Sequence, residues 1–431
     1  MFAERRQRVL DAMGSDGVAI FVGARMVTRS NDTEFPFRQD SDLLYLTGFD
    51  HPDAVAVLRT EGGPAFTLFV QPRQREAETW TGRRPGVEGA TAEYGADEAH
   101  PVDALHKELP EILKSARRIY HVLGRDADLD RKIVEILEDL RRRSRIGLEP
   151  ASEIVDPRSI VHEMRLIKSP EELDIMRRGQ EITRDAHREA ARLAQPGRNE
   201  RELEAVLDYT FRRQGGSGPA YTSIVGGGVN ATILHYVTND QELRAGEMVL
   251  IDGAAEYQGY ASDVTRTYPI GGRFQGPCRA VYETVLAAQD AAVAACTPGT
   301  TLEEVHQLAV RVLVEGMVGC ELLSGTVDDL VAAEAYKPFY MHRTSHWLGL
   351  DVHDVGSYSQ DGKPRPLEPG MVLTVEPGIY VAEDDEKADE RFRGIGVRIE
   401  DDVLITTDGH EVLSAEIPKR LDEVEAWVSS G

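Results

Sequence analysis

Cysteine is scarce in this sequence, long apolar runs are missing, and positive charge is in short supply. Three cysteines in 431 residues, Cys278, Cys296 and Cys320, are an odd number with no CxxC pair. That excludes a disulfide framework and a thiolate metal site, and leaves reduced thiols and a cytoplasmic protein as the expectation. No run of eighteen apolar residues occurs, so no membrane-spanning helix is expected. The stretch Met1 to Asp11 is charged and amphipathic rather than apolar, which argues against a signal peptide. Lysine and arginine number 49 against 74 aspartates and glutamates, a formal charge of -25. That sign repels nucleic acid and anionic membrane, and neither is an expected partner.

With 41% hydrophobic and 29% charged residues the chain reads as globular, and its length calls for two domains, here 1–165 and 166–431. In the first, β-like runs (17–23, 54–60, 65–71 and 118–124) accompany helical patterns at 102–115 and 128–143, an α/β layer domain. The second opens with a helix start: Ser169 at the N-cap, Pro170 at N1 and Glu172 at N3 form a capping box. Another box at Asn199 and Glu202 starts a helix running towards Arg213.

Two resemblances within the second part follow each other in the same order. PGRNERELEAVL from Pro196 resembles PGTTLEEVHQLA from Pro298, and AGEMVLID (245–252) resembles PGMVLTVE (369–376), each strand ending in a carboxylate. An internal duplication is the expectation. Around a tight turn at Tyr257-Gln258, Asp252 and Asp263 are expected to face each other on one sheet face, ~5 Å apart at Cβ. Two carboxylates so close repel unless one is protonated or cations lie between them. The second copy supplies Glu376 and Glu400, both read as lying within strands, with Arg398 on the face of Glu400 and able to orient a carboxylate. His342, His346 and His353 fall within twelve residues of one another, beside a Trp and a Gly. Carboxylates with an imidazole suit Mn2+, Co2+, Fe2+ or Zn2+ better than a thiolate-preferring ion. The plain alternatives are strand-end aspartates, a surface ion pair and packed histidines.

IDGAAEYQGYASDVTRTYP, HRTSHWLGLDVHDVG, LEPGMVLTVEPGIY and GIGVRIEDD resemble the metal-site segments of the pita-bread metallopeptidases. SNDTEFPFRQDSDLLYLTGFDHPDAVAVL and WTGRR at Trp80 are similar to the N-terminal domain of the aminopeptidase P branch of that family. The resemblance implies an N-terminal α/β domain of the creatinase/aminopeptidase P type. An α+β pita-bread domain with an internal pseudo-twofold axis would follow it. It implies two divalent ions, Mn2+ first, with Asp252 bidentate on one, Asp263 and Glu400 bridging, and His346 and Glu376 completing the other. The reaction implied is hydrolysis of the first peptide bond of substrates with proline second, by a hydroxide bridging the metals. Glu376 would shuttle the proton, and His353 and His235 would bond the carbonyl or oxyanion. His342 and Arg398 would position, and Tyr221 and Tyr380 would lie on the substrate side. Trp80 would help close the site, its alternative being an ordinary core or interface aromatic. Arg343 departs from the pattern, standing where a small residue such as Gly is expected. A homo-oligomer, dimer or tetramer, is implied. The rival readings are a prolidase limited to Xaa-Pro dipeptides, a methionine aminopeptidase and a metal-free or non-enzymatic peptide-binding module. The last predicts lost ligands, and all five positions keep metal-capable side chains.

Overall fold

The computed structural model describes residues 1–143 and 150–430, and the chain forms two compact units, Met1–Met164 and Arg165–Gly431. Among the described residues no helix is long and apolar enough to cross a membrane.

The first unit is built on a six-stranded mixed sheet in the order Glu98–Pro101, Phe66–Val70, Val55–Arg59, Gly17–Val22, Arg118–His121, Glu153–Val155. Only Val55–Arg59 runs antiparallel to its neighbours. Helices Leu105–Leu113 and Ala127–Arg142 bury Leu109, Ile112, Ile133 and Leu137 against Val18, Ile20, Val57 and Ile119 of the sheet. The four apolar runs and both helical patterns stand where periodicity put them. The helix Ser41–Thr47 and the edge strand Glu98–Pro101 carry no such signal. Both are too short for one, and Asp40 starts the helix by accepting the Leu43 N–H.

The second unit repeats one layout twice. Helices Pro170–Arg192 and Glu200–Arg213, both with capping boxes, precede an antiparallel sheet in the order Ile224–Gly227, Met248–Asp252, Thr265–Pro269. Helices Gly276–Ala295 and Leu302–Gly319 precede the sheet Val372–Val375, Asp401–Ile405, His410–Val412. The second of these helices has its own capping box at Thr301 and Glu304. A bridge from Trp347 to Leu373 extends the second sheet, so Val372–Val375 is flanked on both sides as Met248–Asp252 is. Each flanked strand leads into an acidic residue, Asp252 or Glu376. This is the duplicated α+β layout expected of the second domain, with the cores of both copies formed by their helix pairs against the sheets.

Two local expectations are corrected. The hairpin turns at Gln258-Gly259, with φ of 50° and 83°, and not at Tyr257-Gln258. A two-residue turn with both φ positive matches the strand twist, and glycine takes the second position without a Cβ penalty. Tyr257 therefore pairs with Tyr260 and Asp252 with Thr265, leaving Asp263 diagonal to Asp252 rather than opposite it. Moving the turn by one residue shifts the register by two, and a shift of two preserves the face. Glu376 and Glu400 lie just outside the strands. Glu376 follows Val375, and Glu400 sits in the break between Gly396–Arg398, which pairs with Gly378–Tyr380, and Asp401–Ile405, which pairs with Val372–Val375. The chain changes partners there, so alternation cannot continue unbroken.

Candidate functional site

The sheet ends of both copies line one cavity of about 820 Å3 in the second unit. Asp252 arrives as the last residue of a buried strand. Asp263 follows the hairpin and donates its backbone N–H to Asp402 Oδ2 at 2.9 Å. Glu400 is anchored through its N–H to the Thr265 carbonyl at 3.0 Å, and its carboxylate accepts the Thr265 hydroxyl at 2.6 Å. Glu376 gives its N–H to the Thr344 carbonyl at 2.8 Å. His346 is pinned between Thr374 and Trp347: its backbone N–H reaches Thr374 Oγ1 at 3.2 Å, and its Nδ1 lies 3.0 Å from the Trp347 carbonyl. Nδ1 then carries the hydrogen and Nε2 faces Asp263 at 3.3 Å and Glu376 at 3.7 Å. Ligand atoms of Asp263, His346 and Glu400 lie within 4.8 Å of one another.

His346 and Arg398 oppose the charge of four carboxylates in this cluster. Burial raises the Glu376 carboxyl to about 8, with Asp263 and Asp252 adding to the rise against His346 and Arg398. Burial, then repulsion from Asp263 and Glu376, holds Glu400 well above the usual carboxylate range. Burial also raises Asp252, although Arg398 opposes the shift. For His346 burial disfavours the charged form, but Asp263 and Glu376 overcome it and push the imidazole up to about 9. The Tyr221 hydroxyl lies 2.5 Å from Asp252 Oδ1 and 2.6 Å from Asp263 Oδ1, so one hydrogen serves two carboxylate oxygens. Four carboxylates and an imidazole with its Nε2 turned inward form a hard, oxygen-rich donor set. The residues present fit divalent metal.

A polar chain supports the cluster. Arg398, 4% exposed, reaches Asp252 Oδ2 at 2.7 Å, Thr265 Oγ1 at 3.0 Å and Tyr380 Oη at 2.9 Å. Tyr380 Oη lies 2.9 Å from His342 Nε2, and His342 Nδ1 lies 2.8 Å from the Arg343 carbonyl. The proton order is consistent throughout: His342 Nδ1 donates to the carbonyl, Tyr380 donates to Nε2, and Arg398 donates to Tyr380. Burial, followed by Arg398, lowers His342 to about 4, in keeping with a neutral ring. Both His342 nitrogens are thereby engaged.

The cavity also brings together Tyr221, His235 and His353 with the five ligand candidates, His342 and Arg398. The His353 ring meets His346 edge-on with centroids 4.3 Å apart, and burial lowers its pKa. Tyr380, expected on the substrate side, is not among the lining residues: it is buried behind them, and its hydroxyl is taken up by His342 and Arg398. Trp80 is not among the lining residues; it belongs to the helix Arg75–Thr81 of the first unit and is 88% exposed. The residues missed from sequence are Thr265, which bonds both Glu400 and Arg398, and His306, whose Nδ1 meets Thr344 Oγ1 at 2.8 Å. Placing the turn at Gln258-Gly259 would have found Thr265, since it then stands opposite Asp252. His306 had no signal beyond a helical apolar face.

Residues 174–407 match Metallopeptidase family M24, and residues 2–120 match the aminopeptidase P N-terminal domain. The chain is 45% identical to Xaa-Pro aminopeptidase of Escherichia coli strain K12 over 427 residues, covering 99% of this chain and 96% of that protein. Its structure is similar to that of Pseudomonas aeruginosa aminopeptidase PepP, with a TM-score of 0.97 and 45% identity over 100% of this chain and 97% of that one. It is also similar to zinc-substituted Escherichia coli aminopeptidase P in complex with product, with a TM-score of 0.95, 44% identity, and coverage of 100% and 98%. The two matched domains and the full-length likeness together make this chain a member of metallopeptidase family M24, in its Xaa-Pro aminopeptidase (aminopeptidase P) branch.

Proposed function

We propose that this Xaa-Pro aminopeptidase removes the first residue of peptides with proline second, through two divalent ions held by Asp252, Asp263, His346, Glu376 and Glu400. The convergence of those five side chains in one cavity carries the reading. When bound, the metal lowers the pKa of a water and polarises the scissile carbonyl. Mn2+ is our first choice, with Co2+, Fe2+ and Zn2+ compatible with the same donors.

The chain's own residues do the rest. The bond to proline is a tertiary amide without an N–H, so the site must engage its carbonyl without that donor, and the leaving nitrogen must be protonated as in any amide. Glu376 takes the proton of the attacking water and passes it to that nitrogen. His353 and His235 donate to the carbonyl oxygen as its charge grows, a task worth ~3 kcal/mol per donor. His342, Tyr380 and Arg398 hold the wall of the site, and Tyr221 holds Asp252 and Asp263. We assign the reaction to the cytoplasm, in line with three free cysteines, and expect a dimer or tetramer, readable by sedimentation velocity.

The test uses protein stripped of metal and reloaded with Mn2+, offered a Xaa-Pro dipeptide and a longer Xaa-Pro-Yaa peptide. Metal-dependent release of the first residue from the longer peptide is expected. Cleavage of the dipeptide alone would make the chain a prolidase, and cleavage of neither under several divalent ions would refute the activity.

A further inference from the structure

Two arginines line the cavity, and only one of them is free to meet a substrate. Arg398 is buried and its nitrogens are committed to Thr265, Tyr380 and Asp252. Arg343 has a side chain that is 63% exposed, and its ion-pair partner is Glu303 in the first turn of Leu302–Gly319. Glu303 is also held by Gln307 Nε2 at 3.0 Å. The backbone of Arg343 is fixed by His342 Nδ1, and the next residue, Thr344, takes the Glu376 N–H. The guanidinium is thus anchored one residue from the working part of the cavity while its charge stays available, because half-exposed ion pairs are weak and open to exchange.

Elsewhere in the lining, Ile224, Leu234 and Val237 offer no charge. A peptide entering the cavity has an ammonium at one end and a carboxylate at the other. Arg343 repels the ammonium, which the acidic cluster attracts, and it attracts the carboxylate. Resting on the Xaa-Pro reading above, we propose that Arg343 is a specificity-determining residue that reads a substrate carboxylate beyond the proline. That carboxylate is either the C-terminus of a short peptide or an acidic third side chain. Glu303 is its internal competitor, holding the guanidinium at the cavity wall until a substrate anion shares it.

The test measures kcat/KM of the metal-loaded full chain on Xaa-Pro-Gly as free acid and as amide, and on amidated Xaa-Pro-Glu and Xaa-Pro-Gln. The acid-to-amide ratio reads the C-terminal carboxylate, and the Glu-to-Gln ratio reads the third side chain. At least one ratio should exceed one, fall about two- to fivefold in Arg343→Gln, survive in Arg343→Lys and rise in Glu303→Gln. Ratios that Arg343→Gln leaves unmoved would overturn the proposal. Should that variant fail to fold, the wild-type ratio must shrink as salt rises from about 50 to about 500 mM, and a constant ratio would overturn it equally. No turnover of any of the four peptides by the wild-type protein would instead sink the activity itself, a result distinct from turnover without charge preference.

Discussion

Arg398 ties both copies of the duplicated domain together at the site. Its guanidinium joins Asp252, Thr265 and Tyr380, so one planar fork sets a carboxylate from the first copy and a phenol from the second. Lysine keeps the charge but not the fork. Arg398→Lys should therefore lower metal affinity by about 10- to 100-fold, as for other groups that orient ligands. A metal titration followed by thermal unfolding reads this, and unchanged affinity would show that Asp252 is oriented without it. The residue types of the site were legible in the sequence because metal chemistry restricts them to a few. The location of the Tyr221 hydroxyl between Asp252 and Asp263 was not, since no periodicity says where a loop tyrosine points.

At the scale of elements, the loop bearing His353 is tied down by buried charge. Asp354 Oδ1 accepts from Arg165 Nη2 at 2.5 Å and Asp354 Oδ2 from Lys168 Nζ at 3.1 Å, and Arg165 also reaches Asp351 at 2.7 Å. Gly349 is required here, because a Cβ on it would stand 2.1 Å from Asp354 Oδ2. Removing one partner of a buried ion pair leaves charge uncompensated. Lys168→Met should cost about 3 kcal/mol in a denaturant titration and lower kcat by displacing His353. A stable variant with normal kcat would mean the loop holds its shape by packing alone. The capping boxes at Ser169, Asn199 and Thr301 were readable in advance because capping is local. The Asp354 cluster joins segments 186 residues apart and could not be read that way.

For the whole molecule, the acidic cluster links folding to pH when no metal is bound. Folding raises Glu376 to about 8, above its unfolded value of 4.5, by burial first, and Glu400 moves the same way. A carboxyl raised on folding contributes stability below its unfolded pKa and loses it as pH climbs through the folded one. The stripped protein should accordingly weaken between about pH 4.5 and pH 8. Bound metal replaces the protons, so the rise in Tm on adding Mn2+ should be larger at pH 8 than at pH 6. Differential scanning calorimetry of stripped and reloaded protein checks this. An equal rise at both values would mean that the carboxylates stay charged in the metal-free fold.

By itself the sequence determined the two-part organisation, the repeated order of helices and strands, and the acidic and histidine segments of the site. Each of these rests on short-range rules: hydrophobic period, capping and the chemistry of donor atoms. Only the tertiary structure decided which side chains meet. The hairpin register turned on a positive φ at Gln258. The place of Glu400 turned on a strand changing partners at Ile399. The chain from Arg398 through Tyr380 to His342 is assembled from three separate segments. Those contacts are made across hydrogen-bonded strands and packed loops far apart in the chain, where no local pattern constrains them.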